Sequence, residues 1–285
     1  MMGVANSRPI GVGRIDYTNA WPLFHYVPDE TEDYRIVRSV PSGLNRMLQQ
    51  GELGVSAVSS FIYGMEPQRY VLLPGLSVGT VGPVRSILLF LKKPLKEVLR
   101  GKIAMTDTSA TSVSLLKMIL RLRYDGNPEY TVMKPDLGAM LKDNDAALLI
   151  GDSAIRASWE SHGLEVMDLG REWKEWTGLG MTYAVVAARR EAVENSRSEV
   201  LRIHEDLLAS RRRSTANLEP LVQRAVASIG GTKAYWTEYF TGLQYDFGPE
   251  LREGLELYYR YAHELGLVDG KAVLEFMNSQ LSTGR

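Results

Sequence analysis

Lys102-Ile103-Ala104-Met105-Thr106-Asp107-Thr108-Ser109-Ala110-Thr111-Ser112-Val113-Ser114-Leu115-Leu116 passes from a short apolar run, through a cluster of hydroxyls, into a helical repeat. Lys102–Met105 reads as a strand. Asp107 to Ser112 supplies carboxylate and hydroxyl side chains able to accept the free N–H groups of a helix start. Val113, Leu116, Ile119, Leu120 and Arg123 then follow at three- and four-residue steps, backed by Lys117 and Arg121, which predicts a helix to about Tyr124 with one face inward. A strand that runs into a capped helix is the βα unit of a mainly parallel sheet.

The same unit recurs on both sides. Strands are predicted at 10–15, 34–40, 54–58, 84–91, 131–134, 146–150, 165–168 and 183–188, with helices between them. One such helix is Ser42–Gln50, with Leu44, Met47 and Leu48 inward and Gly51 as its C-terminal stop. After Arg190 the strands disappear, and helical patterns cover Val193–Asn217, Leu218–Ile229, Lys233–Phe240, Pro249–Leu265 and Gly270–Leu281. A helical tail must bury its apolar face, and the first strands are available to receive it. The chain therefore reads as an α/β protein of two lobes: 1–94 with 188–285 as the first, and 95–187 inserted as the second. Two extended crossings would form a hinge, letting the lobes close on a ligand.

The chain has 285 residues, enough for two domains of the usual size of about 100–150 residues. Lys and Arg total 33 against 34 Asp and Glu, giving a formal charge of −1. That balance argues against nucleic acid and anionic membranes as partners. Arg211-Arg212-Arg213 has no companion cluster and reads as a solvated helix face. There is no cysteine, which excludes disulfides, thiolate nucleophiles and Cys-ligated metals. The four histidines, His25, His162, His204 and His263, fall at no metal-ligand spacing, so no metal is expected. Met1 to Pro9 lacks a secretory signal's basic and apolar regions, and no run approaches the roughly 18 apolar residues of a membrane span. A cytoplasmic protein is the expectation.

Open α/β sheets bind ligands beyond the carboxyl ends of their strands. Here those positions are polar: Asp16, Tyr17, Thr18 and Asn19 after the first strand; Ser59 and Ser60 after the third; Thr108, Ser109, Ala110, Thr111 and Ser112; and Asp152 and Ser153 after the 146–150 run. Ser86 adds a hydroxyl within the apolar run 84–91, where a buried polar group must find a partner. Each has an ordinary explanation as a helix cap, a packed turn or an arginine partner. Their convergence on one crevice suits a small carboxylate, held by hydroxyls and helix N-termini. Residue chemistry alone leaves open a transport receptor, a ligand sensor and an enzyme.

The string Arg14-Ile15-Asp16-Tyr17-Thr18-Asn19-Ala20-Trp21-Pro22-Leu23-Phe24 resembles the opening motif of the chorismate dehydratases of menaquinone biosynthesis by the futalosine pathway. The resemblance continues, in order, through Ser59-Ser60 with Tyr63, Val84-Arg85-Ser86-Ile87, Thr108 to Leu116, Leu149 to Ala154, and Asp168 to Trp173 with Thr177-Gly178-Leu179. The Ser-Pro-x-Pro-Asn type of string seen in the naphthoate-forming sister family is absent. The resemblance implies a type-II periplasmic-binding-protein-like fold with its ligand cleft between the lobes. It also implies a hydro-lyase that converts chorismate to 3-[(1-carboxyvinyl)oxy]benzoate and water without a cofactor. Asn19, Ser86 and Asp152 become candidate catalytic residues; Asp16, Tyr17, Ser59, Ser60 and the Thr108–Ser112 run become candidate substrate contacts. Asp152, Asp16 and the substrate's own enolpyruvyl carboxylate are alternative proton acceptors. The competing readings are a non-catalytic carboxylate-binding or sensing protein of the same fold, and a helical scaffold built on the tail.

Overall fold

The structure, a computed structural model, describes residues 9–278. Its strands form two sheets. In the first, β1 (Ile10–Ile15) pairs in parallel with β2 (Tyr34–Ser39) and β3 (Val55–Ser59). β10 (Met181–Arg189) inserts antiparallel between β3 and β4 (Tyr70–Thr80), and the short β11 (Leu243–Gln244) closes the edge. The second sheet follows the same plan. β6 (Lys102–Thr106) lies in parallel between β7 (Glu129–Met133) and β8 (Ala146–Ile150), while β5 (Ile87–Leu91) runs antiparallel between β8 and β9 (Glu165–Asp168).

The chain passes between the sheets at 81–86 and 169–180. The expected divisions at 94/95 and 187/188 are thus displaced: β5 stands in the second sheet and β10 in the first. Both runs are almost wholly buried, so neither carries the polar alternation that marks an outer face. Nothing local assigns such a strand to one sheet rather than another; the pairing does, with Ile87 opposite Ile150 and Ala184 opposite Ser59. Ser86 is likewise not inside a strand. It ends the first crossing, after Gly82 and Arg85, both at positive φ.

Helices α1 (Trp21–Phe24), α3 (Ser60–Met65), α4 (Leu95–Val98) and α6 (Leu137–Lys142) are short, and the longer ones form where capping and period agree. α2 (Pro41–Gln50) stops at Gly51, whose φ of 82° suits a left-handed C-cap. α5 (Ala110–Met118) starts on the Ser109 side chain, which accepts the Ser112 N–H, and passes into a π turn at Ile119–Arg123. α7 (Gly151–Ser158) follows β8, and α8 (Leu169–Thr177) starts on Asp168. In the tail, Ser196 divides α9 (Arg190–Asn195) from α10 (Arg197–Ala216), and α11 (Glu219–Ile229), α12 (Lys233–Gly242) and α13 (Pro249–Glu264) follow. The helix expected at 270–281 is absent over 270–278, and its last residues lie outside the described part. Residues 275–277 run extended instead: Leu72 donates its N–H to the Glu275 carbonyl, and its own carbonyl accepts the N–H of Met277.

The tail lies against both sheets. Tyr258 and Tyr259 of α13 are buried, their hydroxyls donating to the carbonyls of Thr111 and Ser60. Trp159, following α7, stands edge-on to Tyr235 and Trp236 of α12. No helix of the described residues is long and apolar enough to cross a membrane.

Candidate active site

Parallel strands β1, β3, β6 and β8 present their carboxyl ends, and antiparallel β5 and β10 their amino ends, to one crevice. The register requires this, because Ile150 ends β8 opposite the first residue of β5, and Ser59 ends β3 opposite Ala184 of β10. The resulting cavity is lined by Ile15, Tyr17, Asn19, Pro41, Ser59, Ser86, Ile87, Ser109, Ser112, Ile150, Gly151, Tyr183 and Ala184. Its free volume is about 30 Å³, room for a water or two. Small-ligand pockets span roughly 300–1,000 Å³, so admission of a ring requires the lobes to part. A wider depression of about 640 Å³, lined by Ile10, Gly11, Glu30, Arg35, Gly54 and Ser196 among others, lies at the amino ends of β1 and β3, on the side opposite the carboxyl ends where α/β sheets bind ligands.

Tyr17, Asn19, Ser59, Ser86, Ser109 and Ser112, all expected from sequence, meet in this cavity. The Asn19 Oδ1 is buried without a hydrogen-bond partner. Ser59 is held by its backbone, whose N–H donates to Asn45 Oδ1 at 3.1 Å. The Ser109 hydroxyl donates to Ser112 Oγ at 3.1 Å, so the Ser112 proton is left to serve another acceptor. Ser86 is fully buried; its carbonyl accepts the Gly151 N–H at 2.7 Å and its Oγ contacts the Val84 carbonyl at 3.3 Å. Gly151, at φ 59°, has the Tyr17 ring where a Cβ would stand, 2.9 Å from the ring's Cγ. Burial raises the pKa of the Tyr17 phenol, with Asp152, Asp107 and Asp16 adding in the same direction.

The other candidates lie outside the cavity wall. Asp16 is exposed. Ser60 is buried behind the wall with its Oγ unpartnered. Thr108 and Thr111 tie the sheets together: the Thr108 carbonyl accepts the Ser42 N–H, and Thr111 Oγ1 accepts that of Phe61 at 3.1 Å. Ala110 opens α5 between them. Asp152 Oδ1 accepts both the hydroxyl and the N–H of Thr18, at 2.6 and 3.3 Å, and joins α7 to the loop after β1. Burial raises its pKa above 3.8 despite those bonds. Sequence reasoning missed Tyr183, at 6% exposure, whose hydroxyl pairs with Thr80 Oγ1 at 3.0 Å. A single tyrosine in an apolar run gives no sign of which end of the strand meets the crevice.

Two βα lobes that close a hydroxyl-lined crevice at their strand ends define a ligand-cleft protein of the periplasmic-binding-protein fold. Solved structures agree. A protein of Archaeoglobus fulgidus superposes with a TM-score of 0.73 at 22% identity, covering 93% of this chain and 100% of its own. The periplasmic aliphatic sulphonate binding protein of Escherichia coli gives 0.69 at 13% identity, covering 97% and 94%. Within that fold the chain belongs to the menaquinone-biosynthesis family, whose model matches residues 10–264. It is 34% identical over 275 residues to the chorismate dehydratase of Thermus thermophilus, covering 91% of this chain and 96% of that protein. The 1,4-dihydroxy-6-naphtoate synthase of the same organism matches at 28% over 152 residues, 53% of this chain and 54% of that one.

Proposed function

We propose that the chain is a chorismate dehydratase, a cofactor-independent carbon–oxygen lyase acting in the cytoplasm. The observation that carries the reading is the cavity itself: a carboxylate-free wall that brings six hydroxyls and one amide together with apolar side chains, in a chain 34% identical to a chorismate dehydratase over nearly its whole length. Chorismate would lose the ring proton beside its enolpyruvyl ether and the neighbouring ring hydroxyl. The proton passes to a base, the ring hydroxyl leaves as hydroxide and takes that proton up to become water, and the ring becomes aromatic. Negative charge builds on the ring carboxylate as the C–H bond breaks. A preorganised donor at such an oxygen contributes roughly 3–4 kcal/mol to the barrier. Ser112, with its proton free, and the N-terminus of α5 suit that carboxylate; Ser59 suits the second. Asn19 and Ser86 then hold the departing hydroxyl or the enolpyruvyl group.

The proton acceptor in this reading is the substrate's own enolpyruvyl carboxylate. Its support is that Asp16 and Asp152 both stand outside the cavity wall, the latter engaged by Thr18. The test is to incubate the purified full-length chain with chorismate, with and without exhaustive chelation, following diene absorbance and identifying the product by mass. Loss of the diene with formation of 3-[(1-carboxyvinyl)oxy]benzoate in both samples is expected. Chorismate bound but never consumed sinks the enzyme reading and leaves a binding protein.

A further inference from the structure

Tyr239 lies on α12 of the tail, outside every matched motif, yet its hydroxyl donates to Ser86 Oγ at 3.0 Å. The ring is 1% exposed and is fixed on several sides: parallel to Tyr235 with centroids 6.2 Å apart, and edge-on to Trp236 at 5.4 Å. Burial raises the phenol's pKa far above its ordinary value, so it keeps its proton throughout the working range.

A serine hydroxyl has one proton and two lone pairs. Tyr239 fills one lone pair of Ser86. The Ser86 proton then points at the Val84 carbonyl across 3.3 Å, beyond the usual O–H···O range, so a better acceptor in the cavity can take it. A hydroxyl that accepts one hydrogen bond also becomes a stronger donor of the next. We propose that Tyr239 is a positioning residue that holds Ser86 as a donor to a substrate oxygen, so that the tail completes a site otherwise built from strand ends. The inference rests on the dehydratase reading, because it assigns Ser86 a direction within that reaction.

The test is a double-mutant cycle in the full-length chain: wild type, Tyr239→Phe, Ser86→Ala and the double variant, each with kcat, KM and melting temperature. Tyr239→Phe is expected to lower kcat by about tenfold, the scale of one lost hydrogen bond, with KM within about twofold. In the Ser86→Ala background the same change should leave kcat unaltered. A role confined to packing would lower kcat by the same factor in both backgrounds, and that result overturns the proposal, as does a near-normal kcat in Tyr239→Phe. Should the phenylalanine variant not fold, 3-fluorotyrosine placed at position 239 keeps the ring and strengthens the donor. It should change kcat in the wild-type chain and not in Ser86→Ala; no change in the wild-type chain counts against the proposal. A wild-type chain that consumes no chorismate removes the dehydratase reading and this inference with it, whereas an active wild type with an additive cycle removes this inference alone.

Discussion

The carboxylate of Asp168 accepts the backbone N–H of Arg85 at 2.6 Å, tying together the two segments that pass between the sheets. It also accepts the N–H of Val84 at 3.0 Å and, as the cap of α8, those of Gly170 and Arg171 at 2.9 and 3.0 Å. Arg85 sits at a φ of 61°, a conformation that bulky side chains avoid and that needs holding in place. Asp168→Asn replaces an acceptor oxygen with an NH₂ group facing N–H donors. Denaturant unfolding should show a loss of about 1.5–3 kcal/mol, the worth of hydrogen bonds to a charged group. A change below about 0.5 kcal/mol would mean that the crossings are held by something else.

Gly151 joins the second lobe to the first through close approach to Tyr17. Gly151→Ala adds a Cβ 2.9 Å from the ring's Cγ and asks alanine to take a φ of 59°. The backbone penalty is about 1 kcal/mol, and the ring must move besides. Because the ring lines the cavity, kcat/KM should fall by more than the melting temperature accounts for. Ser153→Ala, on the same helix and outside the cavity wall, is the control and should leave both nearly unchanged.

Asp152 gives a pH signature with a fixed sign. Burial raises its folded pKa above the 3.8 of an ordinary carboxyl, so the folded state holds this proton more tightly than the unfolded state. Its contribution to stability therefore declines as pH rises from about 3.8 through the folded value, and above that value the cost of the buried charge is fully present. Asp152→Asn keeps an oxygen for Thr18 and has nothing to titrate. The stability difference, variant minus wild type, should rise across that interval and then level off. Urea titrations between pH 3.5 and 8 measure it, and a difference that falls with pH would reverse the assignment.

What the sequence made legible follows from where each signal lies. Ile10–Ile15, Ala146–Ile150 and Glu165–Asp168 appear with the expected ends, because apolar runs between polar turns leave few alternatives. β4 was invisible. Pro74-Gly75, with Gly75 at φ 73°, reads as a turn in mid-run, and the strand absorbs it with shifts in its pairing to β10. The extended segment ending in Met277 was read as helix because its partner, Leu72, is distant in the chain. At the site, residues that follow parallel strands were legible since their position alone faces the crevice. Tyr183 and Tyr239 were not: one enters from the opposite end of its strand, and the other stands on a helix whose aromatic spacing reads as core.

Asn19 and Ser86 are both candidate catalytic residues, and the structure separates what their removal does to stability. The Asn19 Oδ1 has no partner, so Asn19→Ala removes a buried acceptor that makes no bond, and the melting temperature should hold or rise slightly. Ser86→Ala instead strands the buried Tyr239 hydroxyl, with a loss of about 1–3 kcal/mol. Both should reduce kcat by roughly a hundredfold or more if each positions the reacting groups. Asn19→Asp gives the sharper contrast. It keeps the shape and adds negative charge to a cavity proposed to receive a dicarboxylate, so KM should rise steeply at neutral pH and recover as pH falls toward the carboxyl's own pKa. An Asn19→Asp variant whose KM does not depend on pH, or an Asn19→Ala variant with near-normal kcat, would remove Asn19 from the site and return it to the role of a buried turn residue.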